Sequence, residues 1–169
     1  MIKTTLIFDP SEVSSEDLSR IIPFIKDPNA LDEIAEYAIS KNKDHYCSLK
    51  KDIENFFKVE LSIIRNPSIS EETQLKFAKL PNSLLRAELA KQETLTMFVI
   101  NILSKDNNYL VIHNLITHST LSNSILNNLV FRIVNNELKL PTNNKNFIKT
   151  FLNHLNQKNS KKIQNWLKS

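Results

Sequence analysis

The sequence predicts an all-α fold, an α-solenoid of short antiparallel helix pairs. Three observations carry that expectation. Apolar residues recur at helical spacing along nearly the whole chain, while strict polar–apolar alternation is absent and β-branched runs are short. Residues that start helices (Ser, Thr, Asp or Asn ahead of an apolar-periodic run) punctuate the chain at short intervals. A period of 26 residues runs through its middle. The 169 residues are expected to form a single domain. A chain of this size buries roughly 68–70% of its unfolded surface, enough to do without disulfide or metal staples.

In order along the chain, helices are expected near 14–25, 30–41, 45–64 with a break near Glu54, 71–80, 82–91, 96–105, 107–117, 122–136, 145–156 and 161–168. Ser14, Asn29, Ser70, Asp106, Ser122 and Ser160 are the expected caps, because their short side chains accept from backbone N–H groups of the first turn. Pro81 suits a first helical turn. In 145–155, Phe147, Ile148, Phe151, Leu152 and Leu155 form one helical stripe, with Lys145, Lys149 and Asn153 off it. The connections are short, which forces neighbouring helices to be antiparallel. The chain has no glycine, so helix ends must use other residues, and asparagine is the next choice for left-handed backbone. That accounts for part of the 21 asparagines; an AT-rich coding sequence accounts for the rest, together with the many Ile and Lys.

The period is visible without gaps. Residues 66–91, 92–117 and 118 onward bring Ile69, Leu95 and Leu121 into one column, followed by Ser70, Thr96 and Ser122 in the next. Phe77, Leu103 and Leu129 align, as do Leu84-Leu85 with Leu110-Val111 and Leu89-Ala90 with Leu115-Ile116. Val59 to Asn66 resembles the end of one more unit. Each unit reads as two short helices, neither able to bury its apolar face alone; stacking joins those faces into one core. The Ser/Thr column is expected to cap the first helix, and the Leu84/Leu110 and Leu89/Leu115 columns to be core in the second. The organisation expected is N-terminal cap helices in 1–54, repeats in 55–136 and basic C-terminal cap helices in 137–169.

These units resemble the variant leucine-rich repeat family, a relative of HEAT-like helical repeats. The resemblance rests on Asn66-Pro67, Leu75, Ala78, Leu85-Arg86 and Leu89-Ala90 in one unit, and on Asp106, Val111 and Leu115 in the next. Ile112 stands where the arginine is expected, and Gln92-Glu93 and His118-Ser119 stand where Asn-Pro would open a unit. It covers about residues 55–136 and implies a curved helical stack acting as a binding surface. Some members have an iron–sulfur module; a single cysteine, Cys47, does not support one here.

Composition narrows the chemistry. Without glycine there is no phosphate loop, dinucleotide fingerprint, nucleophile elbow or EF-hand loop. Cys47 has no mate for a disulfide, which suits a reducing compartment. Met1–Pro10 has too short an apolar run for a signal peptide, and no stretch reaches the length of a membrane span, so a cytoplasmic protein is expected, or one exported by an unseen route. His45 lies two residues from Cys47, a spacing that splits the pair across a helix. His113, His118 and His154 lack the spacing of a helical metal site. No cofactor or metal is expected. Asp32, Glu33 and Glu36, like Glu71 and Glu72, are expected in first turns, where the helix dipole favours acids. Arg86 is the one polar residue in a dense apolar patch; it is expected to pair with Glu60, Glu88 or a carbonyl of the neighbouring unit.

Charge is uneven. Residues 1–37 carry three basic and eight acidic side chains, a net of −5, and residues 138–169 carry seven lysines and no acid, a net of +7. A non-enzymatic module binding another protein is the expected function, through solvent-side positions of the array such as Lys76, Lys79, Asn101, Lys105 and Asn128. The alternative is nucleic-acid binding or DNA repair, with Lys145, Lys149, Lys158, Lys161, Lys162 and Lys168 neutralising phosphates and Trp166 stacking on a base. Against it, the chain has only four arginines, the main readers of guanine edges, and Trp166 is in phase with Ile163 and Leu167 as a helix plug. The same lysines also suit a solvated face.

Overall fold

The computed structural model describes residues 9–47, 53–118, 121–135 and 137–138. Among them there is no strand. The helices are α1 (Ser15–Ile21), α2 (Pro28–Lys41), α3 (Ile53–Phe56), α4 (Lys58–Ile64), α5 (Glu71–Ala78), α6 (Ser83–Leu89), α7 (Met97–Leu103), α8 (Tyr109–His118) and α9 (Asn123–Val134), with short 3-10 turns at Pro10–Glu12, Ile22–Phe24 and Lys43–His45. The all-α expectation therefore holds for the described chain. The helices expected at 145–156 and 161–168 lie outside the described residues.

Local chemistry sets the boundaries. Ser14, Ser70, Thr96 and Ser122 each accept from the backbone N–H three residues on. The last three are spaced by 26 and share one backbone shape: φ/ψ is −68/159 at Ser70, −72/155 at Thr96 and −67/154 at Ser122. Asn82 Oδ1 accepts from Leu84 and Leu85 N–H at the start of α6, and Asn108 Oδ1, 26 residues on, accepts from Leu110 N–H at the start of α8.

Four local expectations are corrected. The cap of α2 is Asp27, not Asn29, because Pro28 fills the first helical position with a pre-set φ and no orphan N–H. Asp106 does not cap α8 directly; its Oδ1 accepts from Asn108 N–H, and Asn108 caps the helix. Pro81 sits just ahead of the cap Asn82 rather than inside the first turn. The break between α3 and α4 falls at Phe57, with φ −115 and ψ 41, not at Glu54. That backbone turn sends the Phe57 ring into the core, where it stacks on Tyr46 at 5.4 Å.

Packing joins the helices into two rows. α2 packs on α5 and α5 on α7; α1 packs on α4, α4 on α6 and α6 on α8. Across the rows, α2 meets α4, α5 meets α6 and α7 meets α8. The core lies between the rows and is continuous from Leu18 to Leu138. Positions 26 apart share burial: Phe77, Leu103 and Leu129 are buried, as are Val59, Leu85 and Val111, and Ile63, Leu89 and Leu115. Burying each such side chain contributes roughly 1.5–3 kcal/mol. Ile69 and Leu121 are buried and Leu95 is partly buried against the same core. The Leu84/Leu110 column is only half-buried; Leu85 and Val111, one residue on, take the core positions.

Candidate functional site

Polar side chains fix how one helix follows the next. Asp32 on α2 accepts from Ser70 Oγ at 2.6 Å and from Thr73 Oγ1, so it holds the start of α5. It is therefore not a first-turn acid, since α2 begins at Pro28 and carries no acid in its first turn. Gln74 on α5 accepts from Thr96 N–H and donates to Thr94 O, holding the start of α7 in the same way. The starts of α5 and α7 are thus set by the preceding helix of their row.

Arg86 has neither of its expected acidic partners. Its Nε and Nη2 donate to the two oxygens of Asp106, at 2.6 and 3.2 Å, and Nη1 donates to Leu80 O and Pro81 O. Arg132 on α9 reaches the same turn from the other side, donating to Ser104 O, Asp106 O and Asn107 Oδ1. The α7–α8 turn is therefore clamped by two guanidinium forks, a geometry that lysine cannot supply. Glu88 is held by Arg65 and Lys91 instead; burial pushes its carboxyl up, but those two donors outweigh it and keep it below its ordinary value. Glu60 is buried and accepts from Asn42 Nδ2 at 2.7 Å and Tyr46 Oη at 2.9 Å.

With those side chains used in packing, the solvent face of the α2–α5–α7 row stands out. Position by position at the 26-residue spacing, α5 presents Glu72, Leu75, Lys76 and Lys79, and α7 presents Phe98, Asn101, Ile102 and Lys105. On α9 the corresponding residues include Ser124, Asn128 and Phe131. Of the five residues expected to bind a partner, Lys76, Lys79, Asn101 and Lys105 fall on this face, and Asn128 is on α9. Lys79, Asn101, Lys105 and Asn128 are exposed. Lys76 is half-buried and bridges Glu36 on α2, at 2.7 Å, and Glu72, at 3.1 Å. Those carboxylates, Glu36 first, hold its ammonium above its ordinary value. Its charge is thus spent within the fold. Lys79 and Lys105 take part in no ion pair among the described residues.

Sequence reasoning missed the exposed apolar residues of α7 and α9. Met97, Phe98 and Phe131 are 57%, 56% and 60% exposed. The signal was present in α7, Met97–Leu103, where every residue but Asn101 is apolar. A helix with one buried stripe (Val99, Ile100 and Leu103) and apolar residues all round must show some to solvent.

The other candidates separate. Cys47 is exposed, and the His45 and Phe56 rings meet edge to face with centroids 5.1 Å apart. Among the described residues no group of three or more His, Cys, Asp or Glu could hold a metal ion. No helix among them is long and apolar enough to cross a membrane. Lys145, Lys149, Lys158, Lys161, Lys162 and Lys168, with Trp166 and the 145–155 stripe, lie outside the described residues. The chain matches no protein-family model, no curated protein and no solved structure.

Proposed function

We propose that this chain is a small α-solenoid of the HEAT-like or variant leucine-rich repeat kind, and that it works as a non-enzymatic protein-binding module through the outer face of its α2–α5–α7 row. Two facts support the stacked arrangement. The Ser70, Thr96 and Ser122 caps repeat in sequence and in backbone shape. From α4 to α9, the side-chain bonds linking one helix pair to the next span 20 to 28 residues, about one unit: Gln74 to Thr94, Arg86 to Asp106, Asn114 to Ala87 and Arg132 to Ser104 are such bonds. An array in which each unit touches only its neighbours offers long faces rather than a deep cleft.

The observation that carries the functional half is the exposure of Met97 and Phe98 on that face, with Phe131 exposed on α9. Aromatic side chains left in water at such positions mark interaction sites. Capture from native lysate at physiological salt tests it. The wild-type chain retains a specific protein that the Phe98→Asp, Lys105→Glu chain does not. Equal capture by both chains rejects the face, and recovery of nuclease-sensitive material alone moves the assignment to the lysine-rich segment 138–169 and nucleic acid.

A further inference from the structure

Each helix of the α5–α7–α9 series buries two neighbouring sides. On α5, Thr73 faces the preceding helix, since its Oγ1 donates to Asp32 on α2. Gln74 faces the following one, since it bonds to Thr94 O and Thr96 N–H at the start of α7. One turn on, Ala78 continues the Gln74 side and is buried. At the 26-residue spacing that following side becomes Ile100 and Ser104 on α7, both buried, and Arg132 of α9 bonds to Ser104 O there. On α9 it becomes Leu126 and Val130. No helix follows α9 among the described residues, yet Leu126 is 6% exposed and Val130 is 4% exposed. A side left facing open water would show far more of two such chains.

The chain turns at the end of α9 rather than running straight on. Glu137 N–H and Leu138 N–H both donate to Arg132 O, and Leu138 is buried. Residues 139–169 follow. They contain the apolar stripe Phe147, Ile148, Phe151, Leu152 and Leu155, which has the same i, i+1, i+4, i+5, i+8 spacing as the buried Ile125, Leu126, Leu129, Val130 and Ile133 of α9. The link 139–146 spans up to about 26–29 Å when extended. The 12 residues of α9 take only about 18 Å. The link is therefore long enough to return to the start of α9 and let another helix run beside it.

We infer that residues 145–155 of the same chain seat their apolar stripe on the Leu126–Val130 side of α9, as the next helix of the series. The contact rests on the reading of the chain as a stack of like layers, and names what closes that stack. An array whose last helix keeps a bare apolar side offers it to a second copy, and a terminal layer with a polar outer face prevents that. Lys145, Lys149 and Asn153 lie off the stripe and supply polar positions for such a face. The α9 end is then an internal contact of one chain, and Met97 and Phe98 on α7 remain the apolar surface open to a partner.

The experiment is photo-cross-linking of the full chain carrying Cys47→Ser and one introduced cysteine. A benzophenone on that cysteine reaches about as far as the roughly 8–10 Å between packed helix axes. Asn123 is exposed and borders the Leu126 side of α9, whereas Asn128 is exposed on the opposite side. From Asn123→Cys, the cross-linked fragments map to 145–155 in a product of monomer mass, and from Asn128→Cys they do not. Met97→Cys, 26 residues before Asn123, joins α9. Cross-links from Asn123→Cys that miss 145–155, that reach it only in a product of twice the monomer mass, or that are matched in yield from Asn128→Cys overturn the inference. Met97→Cys separates the two ways of failing. If it joins α9 while Asn123→Cys misses 145–155, the stack stands and only its closing layer is misassigned. If it does not join α9, the stack falls and the inference falls with it.

Discussion

At the scale of one residue, Glu60 sets a response to pH. Its carboxylate is 1% exposed, and no lysine or arginine among the described residues pairs with it. Burial pushes the carboxyl above its ordinary value of 4.5, while Asn42, the backbone N–H of Glu60, Tyr46 and the charge of Lys41 oppose that shift without cancelling it. The same burial, with Glu60 beside it, pushes the Tyr46 hydroxyl up, so Tyr46 stays a donor at every relevant pH. A folded pKa above the unfolded one means that the native state holds its proton more tightly. The contribution of Glu60 is therefore greatest at or below the unfolded value. It declines as pH rises through the folded value and is flat beyond. Glu60→Gln keeps an acceptor for Asn42 and Tyr46 and removes the charge. In urea titrations at a series of pH values, the stability of Glu60→Gln relative to wild type grows from acid to neutral pH. A difference independent of pH would mean that the buried carboxylate is not the titrating group. None of this was legible in the sequence, where Glu60 was a candidate partner for Arg86. Its true partners lie 18 and 14 residues back, in a turn whose path nothing local announces.

At the scale of the element, what the sequence could show depended on how local each bond is. Ser70, Thr96 and Ser122 were readable because a cap bond spans three residues and needs no tertiary knowledge. The break at Phe57 was misplaced because its cause, stacking on Tyr46, is tertiary. The cap of α2 was missed by two residues because Pro28 starts the helix earlier than its first apolar residue suggests. The caps also differ in a way that can be measured. Thr96 makes a single long cap bond of 3.4 Å, to Val99 N–H. Ser70 accepts from Thr73 N–H at 3.0 Å and also donates to Asp32, which ties α5 to α2. Thr96→Ala therefore costs about 1 kcal/mol or less in urea unfolding, the ordinary worth of a cap. Ser70→Ala costs more, by roughly the further 1.5–3 kcal/mol of a hydrogen bond to a charged acceptor. Equal losses would show that the Asp32 bond adds nothing to the cap.

At the scale of the molecule, the Phe77/Leu103/Leu129 and Leu89/Leu115 columns that the sequence aligned are buried alike, but the surface did not follow from the columns. The period names equivalent sites without saying which side of a row is wet. Lys76 looked as free as Lys79, yet Glu36, 40 residues away, takes its charge. The same period makes a strong demand on the whole chain. If each unit contacts only its neighbours, excising one full period should leave the cap and core contacts of α5 and α7 a counterpart in α9. Deleting 92–117 joins Lys91 to His118 and moves Ser122 to the place of Thr96, where its N–H meets Gln74 and its hydroxyl caps α9 in the position of α7. Leu121 replaces Leu95 and Leu129 replaces Leu103 in the core. Arg132 and Glu137 come to the places of Asp106 and Val111, so Arg86 meets a like charge and the shortened chain is less stable, but it remains helical and unfolds in one cooperative transition. Deleting 92–111 removes fewer residues yet shifts every later side chain out of phase, turning the apolar stripe of α9 away from the core. That chain should lose cooperative unfolding and expose apolar surface to a hydrophobic dye. If the two deletions behave alike, the units are not interchangeable layers, and the chain is an irregular helical bundle in which the 26-residue spacing has no structural meaning.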